Sequence, residues 1–99
     1  MLELPETLHE KIRAHGAASY PHEGCGLLLG LAENGRNAVT AVKPMPNVWP
    51  NEAEKPIRFR IDPDAWRDAE LDAAMEGLDV IGIFHSHPNA EPDASPRDL

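Results

Sequence analysis

The spacing of hydrophobic and polar residues changes several times along the chain, and each change marks an element. Leu4, Leu8 and Ile12 recur every fourth residue among Glu6, Glu10, Lys11 and Arg13, which predicts a helix from Pro5 to about Ala18 that ends at Tyr20-Pro21. From Cys25 to Leu31 the chain is continuously apolar or glycine, the length and character of a central strand buried on both faces. Asn34-Gly35 is a hairpin signal, and Asn37 to Val42 supplies a second strand, antiparallel to the first. Lys43 to Pro56 holds four of the ten prolines together with Asn47, Trp49 and Asn51, a composition suited to an irregular surface loop. Ile57, Phe59 and Ile61 then alternate with Arg58 and Arg60, predicting a half-buried strand with a basic outer face. Asp62-Pro63 opens a second helix, which carries Trp66, Ala69, Leu71 and Ala73 to a stop at Gly77. Val80 to Phe84 is another buried strand, broken just past two histidines by Pro88. This order gives an α+β domain with a mixed or largely antiparallel sheet.

Composition narrows the possibilities. A chain of 99 residues makes one domain with a modest core, and 41% hydrophobic with 26% charged residues is the balance of a soluble globular protein. Its apolar runs, GLLLGLA and VIGIF, are too short to cross a bilayer, and no signal-peptide pattern opens the sequence, so the chain reads as cytoplasmic with no membrane partner. The single cysteine, Cys25, excludes an intrachain disulfide and fits a reducing compartment. A net charge of -8 argues against nucleic acid as a partner.

The candidate chemistry lies at the two ends of the chain. His85 and His87 sit one residue apart on a strand end, so their side chains share a face, with Cα atoms roughly 6.6 Å apart. Both rings can then reach one ion at about 2.0 to 2.1 Å. Asp98, brought back by the intervening loop, supplies a third ligand and leaves a fourth position for water. Ser95-Pro96-Arg97-Asp98 also reads as a helix start, so Ser95 is a cap, a hydrogen-bond donor at the site, or both. Glu23, at the entrance of the first strand, is either a solvated turn carboxylate or a site residue. Cys25 reads as a small buried residue, His9 and His15 as surface residues of the first helix, and Trp66 as core. Trp49 is either a packing plug or a partner contact.

Three zinc patterns fail. His22-Glu23 lacks the second histidine of H-E-x-x-H, because Gly26 stands there. One cysteine cannot supply the paired cysteines of a nucleobase deaminase or of a zinc finger. What remains is H-x-H-x7-S-x2-D, formed by His85, His87, Ser95 and Asp98, with Glu23 upstream at the head of a strand. With Pro88 after the second histidine, this string resembles the complete signature of the JAMM metallopeptidases, also called the MPN+ or Mov34/PAD-1 domain. Pro21, Glu23, Cys25 to Gly30, Asn47, Ile57 to Ile61, Asp62-Pro63 and Val80 to Gly82 are similar to the short prokaryotic branch, so the resemblance covers nearly the whole chain.

That resemblance implies the MPN/JAB fold, which is cytidine-deaminase-like, with helices flanking the sheet in α/β/α layers. It implies one zinc ion bound by His85, His87 and Asp98, with a water whose pKa the ion lowers from about 15.7 toward roughly 7. Glu23 would be the general base and Ser95 the donor to the oxyanion. Both imidazoles must be neutral, so activity should fall in acid. The implied substrate is an amide or isopeptide bond at the C-terminal Gly-Gly tail of a ubiquitin-like or sulfur-carrier protein conjugate. That tail would be gripped as an added strand by the loop from Met45 to Pro56 and by Ile57 to Ile61, with Asn47, Trp49, Arg58 and Phe59 as substrate contacts. Family members continue past the signature with a helix and strands, whereas this sequence stops one residue after Asp98. The expectation is therefore a single domain over 1–99 that lacks its C-terminal portion, with a homodimer as one way to cover the gap. Two other readings stand beside the hydrolase. One is an MPN- binding module, against which the intact ligand set argues. The other is a RadC-like protein, whose usual H-N-H-P differs from His85-Ser86-His87-Pro88.

Overall fold

A computed structural model describes residues 2–87 and the backbone of 90–96; Asp98 lies outside the described residues. Its elements are β1 (Leu2–Glu3), α1 (Glu6–Ser19), β2 (Cys25–Glu33), β3 (Arg36–Met45), a single 3-10 turn (Glu52–Glu54), α2 (Pro63–Met75), β4 (Asp79–His87) and β5 (Ala90–Pro96). The strands form one mixed sheet in the order β1-β3-β2-β4-β5, antiparallel throughout except for β1 on β3. The expected α+β architecture is therefore present, with β2 at the centre.

Local chemistry accounts for the boundaries. The Pro5 carbonyl accepts the amides of Leu8 and His9 and starts α1. At α2, the Asp62 carboxylate accepts the Ala65 amide at 3.1 Å and Pro63 takes the first helical position. Gly77 ends that helix at φ +75°, and the Leu78 amide returns to the Ala73 carbonyl. Asn34 and Gly35 both have positive φ, as the tight turn between β2 and β3 requires.

The two helices cover opposite faces of the sheet. Leu8 and Ile12 of α1 pack with Leu28, Val39, Ile81 and Phe84 on one face. On the other, Ala69 of α2 packs with Leu27, Met45 and Val80, and Trp66 and Ile61 close around them. Consecutive residues of β2 thus serve two cores, which is why that strand is continuously apolar. Burying each such Leu, Ile or Phe contributes roughly 1.5–3 kcal/mol. Gly26 and Gly30 let the sheet close: a Cβ at Gly26 would stand 2.4 Å from both the Lys43 carbonyl oxygen and the Phe84 ring.

Three expectations are corrected. The alternating stretch Ile57 to Ile61 is not a sheet strand; it runs alongside the proline-rich loop, held by the Asn47 side chain and by one backbone hydrogen bond from the Val48 amide to the Arg60 carbonyl at 2.9 Å. The second strand runs on through Pro44 to Met45, tolerated because β1 pairs with β3 only at Asn37 and Ala38 and leaves the far end of β3 as an edge. The segment after Pro88 forms β5 rather than a loop leading to a helix start at Ser95, and Ser95 pairs with Ile83. Its prolines fit because β5 is an edge strand. On α2 the residues buried against the sheet are Ala69 and Ala73, while Leu71 between them is 61% exposed.

Candidate metal and active site

Glu23, His85 and His87 come together where β2 begins and β4 ends. Cys25 pairs with His85 in the ladder, so extending that antiparallel register by two residues sets Glu23 opposite His87. Directly opposed residues project to the same face, and Glu23, His85 and His87 therefore share one. Oε1 of Glu23 lies 3.4 Å from Nδ1 of His87 and 3.6 Å from Nδ1 of His85. One ligand atom from each of the three residues falls within 4.8 Å of the others. Atoms bound tetrahedrally at about 2.0 to 2.1 Å from one ion are about 3.3 to 3.4 Å apart, so this nitrogen and oxygen donor set fits a small divalent metal.

Glu23 is only 4% exposed, which decides against a solvated turn carboxylate. Its backbone is fixed from three directions. The Glu23 amide donates to the Lys55 carbonyl at 2.8 Å, and its carbonyl accepts from Asn47 Nδ2 at 3.1 Å. Next door, the Gly24 amide donates to Ser86 Oγ at 2.7 Å while the Ser86 amide donates to the Gly24 carbonyl at 2.8 Å. The Ser86 side chain, on the α1 face of the sheet, therefore ties the histidine strand to the residue after Glu23. Sequence reasoning gave Ser86 no role. The available signal was a polar residue at an inward position of an otherwise apolar strand.

Phe59 stacks on the His85 ring, with centroids 4.7 Å apart and planes inclined by 20°, and His87 meets His85 edge-on at 4.6 Å. Trp49, Arg58 and Phe59 join Glu23, His85 and His87 around an open cleft of about 460 Å³. Asn47 sits behind that wall. Its Nδ2 donates to the carbonyls of Glu23 and Arg58, and its Oδ1 accepts the amides of Trp49 and Arg60, so both ends of the amide are committed to backbone. Of the other expected site residues, Ser95 is placed by its backbone on β5 beside β4, and Asp98 falls outside the described residues.

Cys25 is fully buried, with Sγ 3.6 Å from the Met45 carbonyl oxygen. Burial, assisted by the Glu23 carboxylate, pushes its thiol up to about 11, so it is neither a thiolate ligand nor a nucleophile near neutrality. His15 is not a simple surface residue: it packs edge-on against Phe84, and burial lowers its pKa against the raising effect of a hydrogen bond with the Cys25 backbone. Among the described residues, no helix is long and apolar enough to cross a membrane.

Comparison with known proteins agrees with this geometry. A probable TtuB-protein conjugate cleaving protease of Thermus thermophilus is 37% identical over 99 residues, covering 100% of this chain and 62% of the relative. A desampylase of Haloferax volcanii is 31% identical over 101 residues, covering 98% of this chain and 69% of the relative. Among solved structures, a protein of Desulfitobacterium hafniense superposes with a TM-score of 0.79 at 33% identity, covering 89% of this chain and 57% of that one. The chain thus spans somewhat under two thirds of the length of the Thermus relative. The model of the prokaryotic homologs of the JAB domain matches residues 5–99, and the chain belongs to that family.

Proposed function

We propose that this chain is a metal-dependent hydrolase of amide or isopeptide bonds, acting at the C-terminal tail of a ubiquitin-like or sulfur-carrier protein conjugate. The observation that carries the reading is a buried carboxylate held within 3.4 and 3.6 Å of two imidazoles on the floor of an open cleft. Paired imidazoles with a carboxylate suit zinc, which we take as the cofactor; His85 and His87 would hold it, with Asp98 as third ligand by its place in the signature. When bound, such an ion acts as a Lewis acid on water and on the scissile carbonyl.

The chain's own residues do the rest. Glu23, fixed through its backbone, takes a proton from the attacking water and returns it to the leaving amine, a role typically worth 10²–10⁴ in rate. Phe59 limits rotation of the His85 ring by stacking on it. Ser95 would donate to the oxygen that gains charge as the carbonyl is attacked. The cleft wall of Trp49, Arg58 and Phe59 is the natural path for an extended tail. The relatives named for cleaving TtuB-protein conjugates and for desampylation support a protein conjugate as substrate.

The test is zinc titration by calorimetry with hydrolysis of an isopeptide-linked ubiquitin-fold conjugate, for the wild type and Glu23→Gln. The variant is expected to keep metal binding and lose at least about a hundredfold in kcat. Full metal-dependent turnover by Glu23→Gln would refute the assignment of the base, and loss of metal binding would make Glu23 a ligand instead.

A further inference from the structure

Two cations of this acidic chain, Arg58 and Arg60, converge on one aromatic side chain. Arg13 is matched by Glu6 and Glu10, and Lys55 by Glu52. Among the described residues, Arg58 and Arg60 have no carboxylate partner. Their guanidinium carbons lie instead 5.5 and 5.3 Å from the centroid of one ring, Trp49. That ring is held by its own hydrogen bond, Nε1 to Glu54 Oε1 at 2.9 Å. The backbone beneath both arginines is clamped by Asn47, through the Arg58 carbonyl and the Arg60 amide. Two like charges drawn to one indole repel each other, and the ring quadrupole offsets only part of that. A carboxylate between or beside them would offset the remainder.

This charged face adjoins the site: Trp49 and Arg58 line the same cleft as Glu23, His85 and His87. Ile57, 73% exposed, and Val48, 40% exposed, flank it with uncovered apolar surface. Arginine, tryptophan and exposed aliphatic groups on a backbone held rigid make the composition of a protein-binding hot spot. On a molecule of net charge -8, such a patch attracts acidic groups that the rest of the surface repels.

We propose that Trp49, Arg58 and Arg60 form a specificity-determining surface that selects a substrate whose segment at the cleft carries Asp or Glu side chains. The inference rests on the hydrolase reading for its biological meaning, because it places the acidic segment beside the bond to be cut. The recognition itself needs neither metal nor turnover.

The test is fluorescence anisotropy at low ionic strength, without metal, using four labelled peptides of one length and apolar content. Three are C-terminal amides carrying two Glu, two Gln or two Lys, and the fourth is the Gln peptide with a free C-terminal carboxylate. The Glu peptide is expected to bind about tenfold more tightly than its Gln amide and more tightly still than the Lys peptide, with the gap closing as salt rises. The double variant Arg58→Glu, Arg60→Glu, checked for folding by circular dichroism, should reverse the order and prefer Lys. Equal binding of all four peptides, or a preference for Glu that survives the double variant, overturns the proposal. So does a free-acid Gln peptide that matches the Glu peptide, which would assign the surface to a chain terminus. Failure of metal-dependent hydrolysis leaves this measurement unaffected, so the two readings can fail separately.

Discussion

Replacing Ser86 by alanine tests how the site is built. Ser86 is 6% exposed, and its Oγ accepts the amide hydrogen of Gly24, itself buried, at 2.7 Å. Alanine removes that acceptor and the long 3.5 Å hydrogen bond from the hydroxyl to the Gly24 carbonyl, but it leaves the backbone hydrogen bond from the Ser86 amide to that carbonyl. Water cannot simply replace the hydroxyl, since α1 closes over this point: a Cβ at Gly16 would come within 2.8 Å of the Ser86 Cβ. An amide left buried without an acceptor costs about 1–3 kcal/mol. For a domain of this size, 1 kcal/mol moves Tm by about 4–8 °C, so Ser86→Ala should melt roughly 5–20 °C lower. In urea the midpoint should fall with an unchanged slope, because the surface exposed on unfolding is the same.

The same substitution loosens the strand end that carries the two proposed metal ligands, since Ser86 lies between His85 and His87, without touching either ring or Glu23. Zinc affinity, measured by calorimetry well below the melting transition, should fall by about 10–100-fold, the usual range for residues that hold ligands in place. A stability change under about 0.5 kcal/mol, the level of an ordinary surface substitution, would refute the argument that this hydrogen bond ties the two strands together.

Three further predictions follow from the same contacts. Asn47→Ala withdraws four hydrogen bonds from the cleft wall and should raise KM for a conjugate substrate; Asn47→Asp keeps the two acceptor contacts but sets a carboxylate oxygen against the Glu23 and Arg58 carbonyls, and should be at least as damaging in steady-state kinetics and thermal melts. Gly26→Ala should fail to fold or lose most of its stability in urea titration, because the added methyl meets both the Lys43 carbonyl and the Phe84 ring, and neither can yield without opening the sheet. With the Cys25 thiol raised to about 11 in the fold, stability is fully present below the unfolded thiol's pKa of about 8.5 and is lost as pH climbs through 11. Cys25→Ala should flatten that alkaline slope, worth on the order of 3 kcal/mol, and the native thiol should resist alkylation at neutral pH until denaturant is added.

Legibility varied along the chain for physical reasons. The run Cys25 to Gly30 announced a central strand because both of its faces meet a core. The α2 boundaries were legible in Asp62, Pro63 and Gly77, whose effects are local. Ile57 to Ile61 carried the right period but no sign of a partner strand, and what holds it is the Asn47 side chain and a single backbone hydrogen bond from Val48, both from a loop ten or more positions earlier. Leu2–Glu3 is too short to leave a pattern. Glu23 was legible only through the family signature, since its burial depends on Lys55 and Asn47, both far along the chain.

The register of two strands turns these separate features into a site. The pairing of Cys25 with His85 places Gly24 against Ser86 and Glu23 against His87, so polar residues alternate between functions as the strand alternates between faces. Even the ladder's irregularity, between Leu28 and Leu29, lies on the far side of this pairing and leaves its register undisturbed. A one-residue slip would exchange the faces, turning Glu23 toward α1 and Gly24 toward the histidines. Gly26, which admits Phe84 against the backbone, and Ser86, which holds Gly24, both work against such a slip. Glu23 and the two imidazoles therefore meet because the sheet has one register available, and the residues that enforce it, Gly26 and Ser86, carry no candidate chemistry of their own.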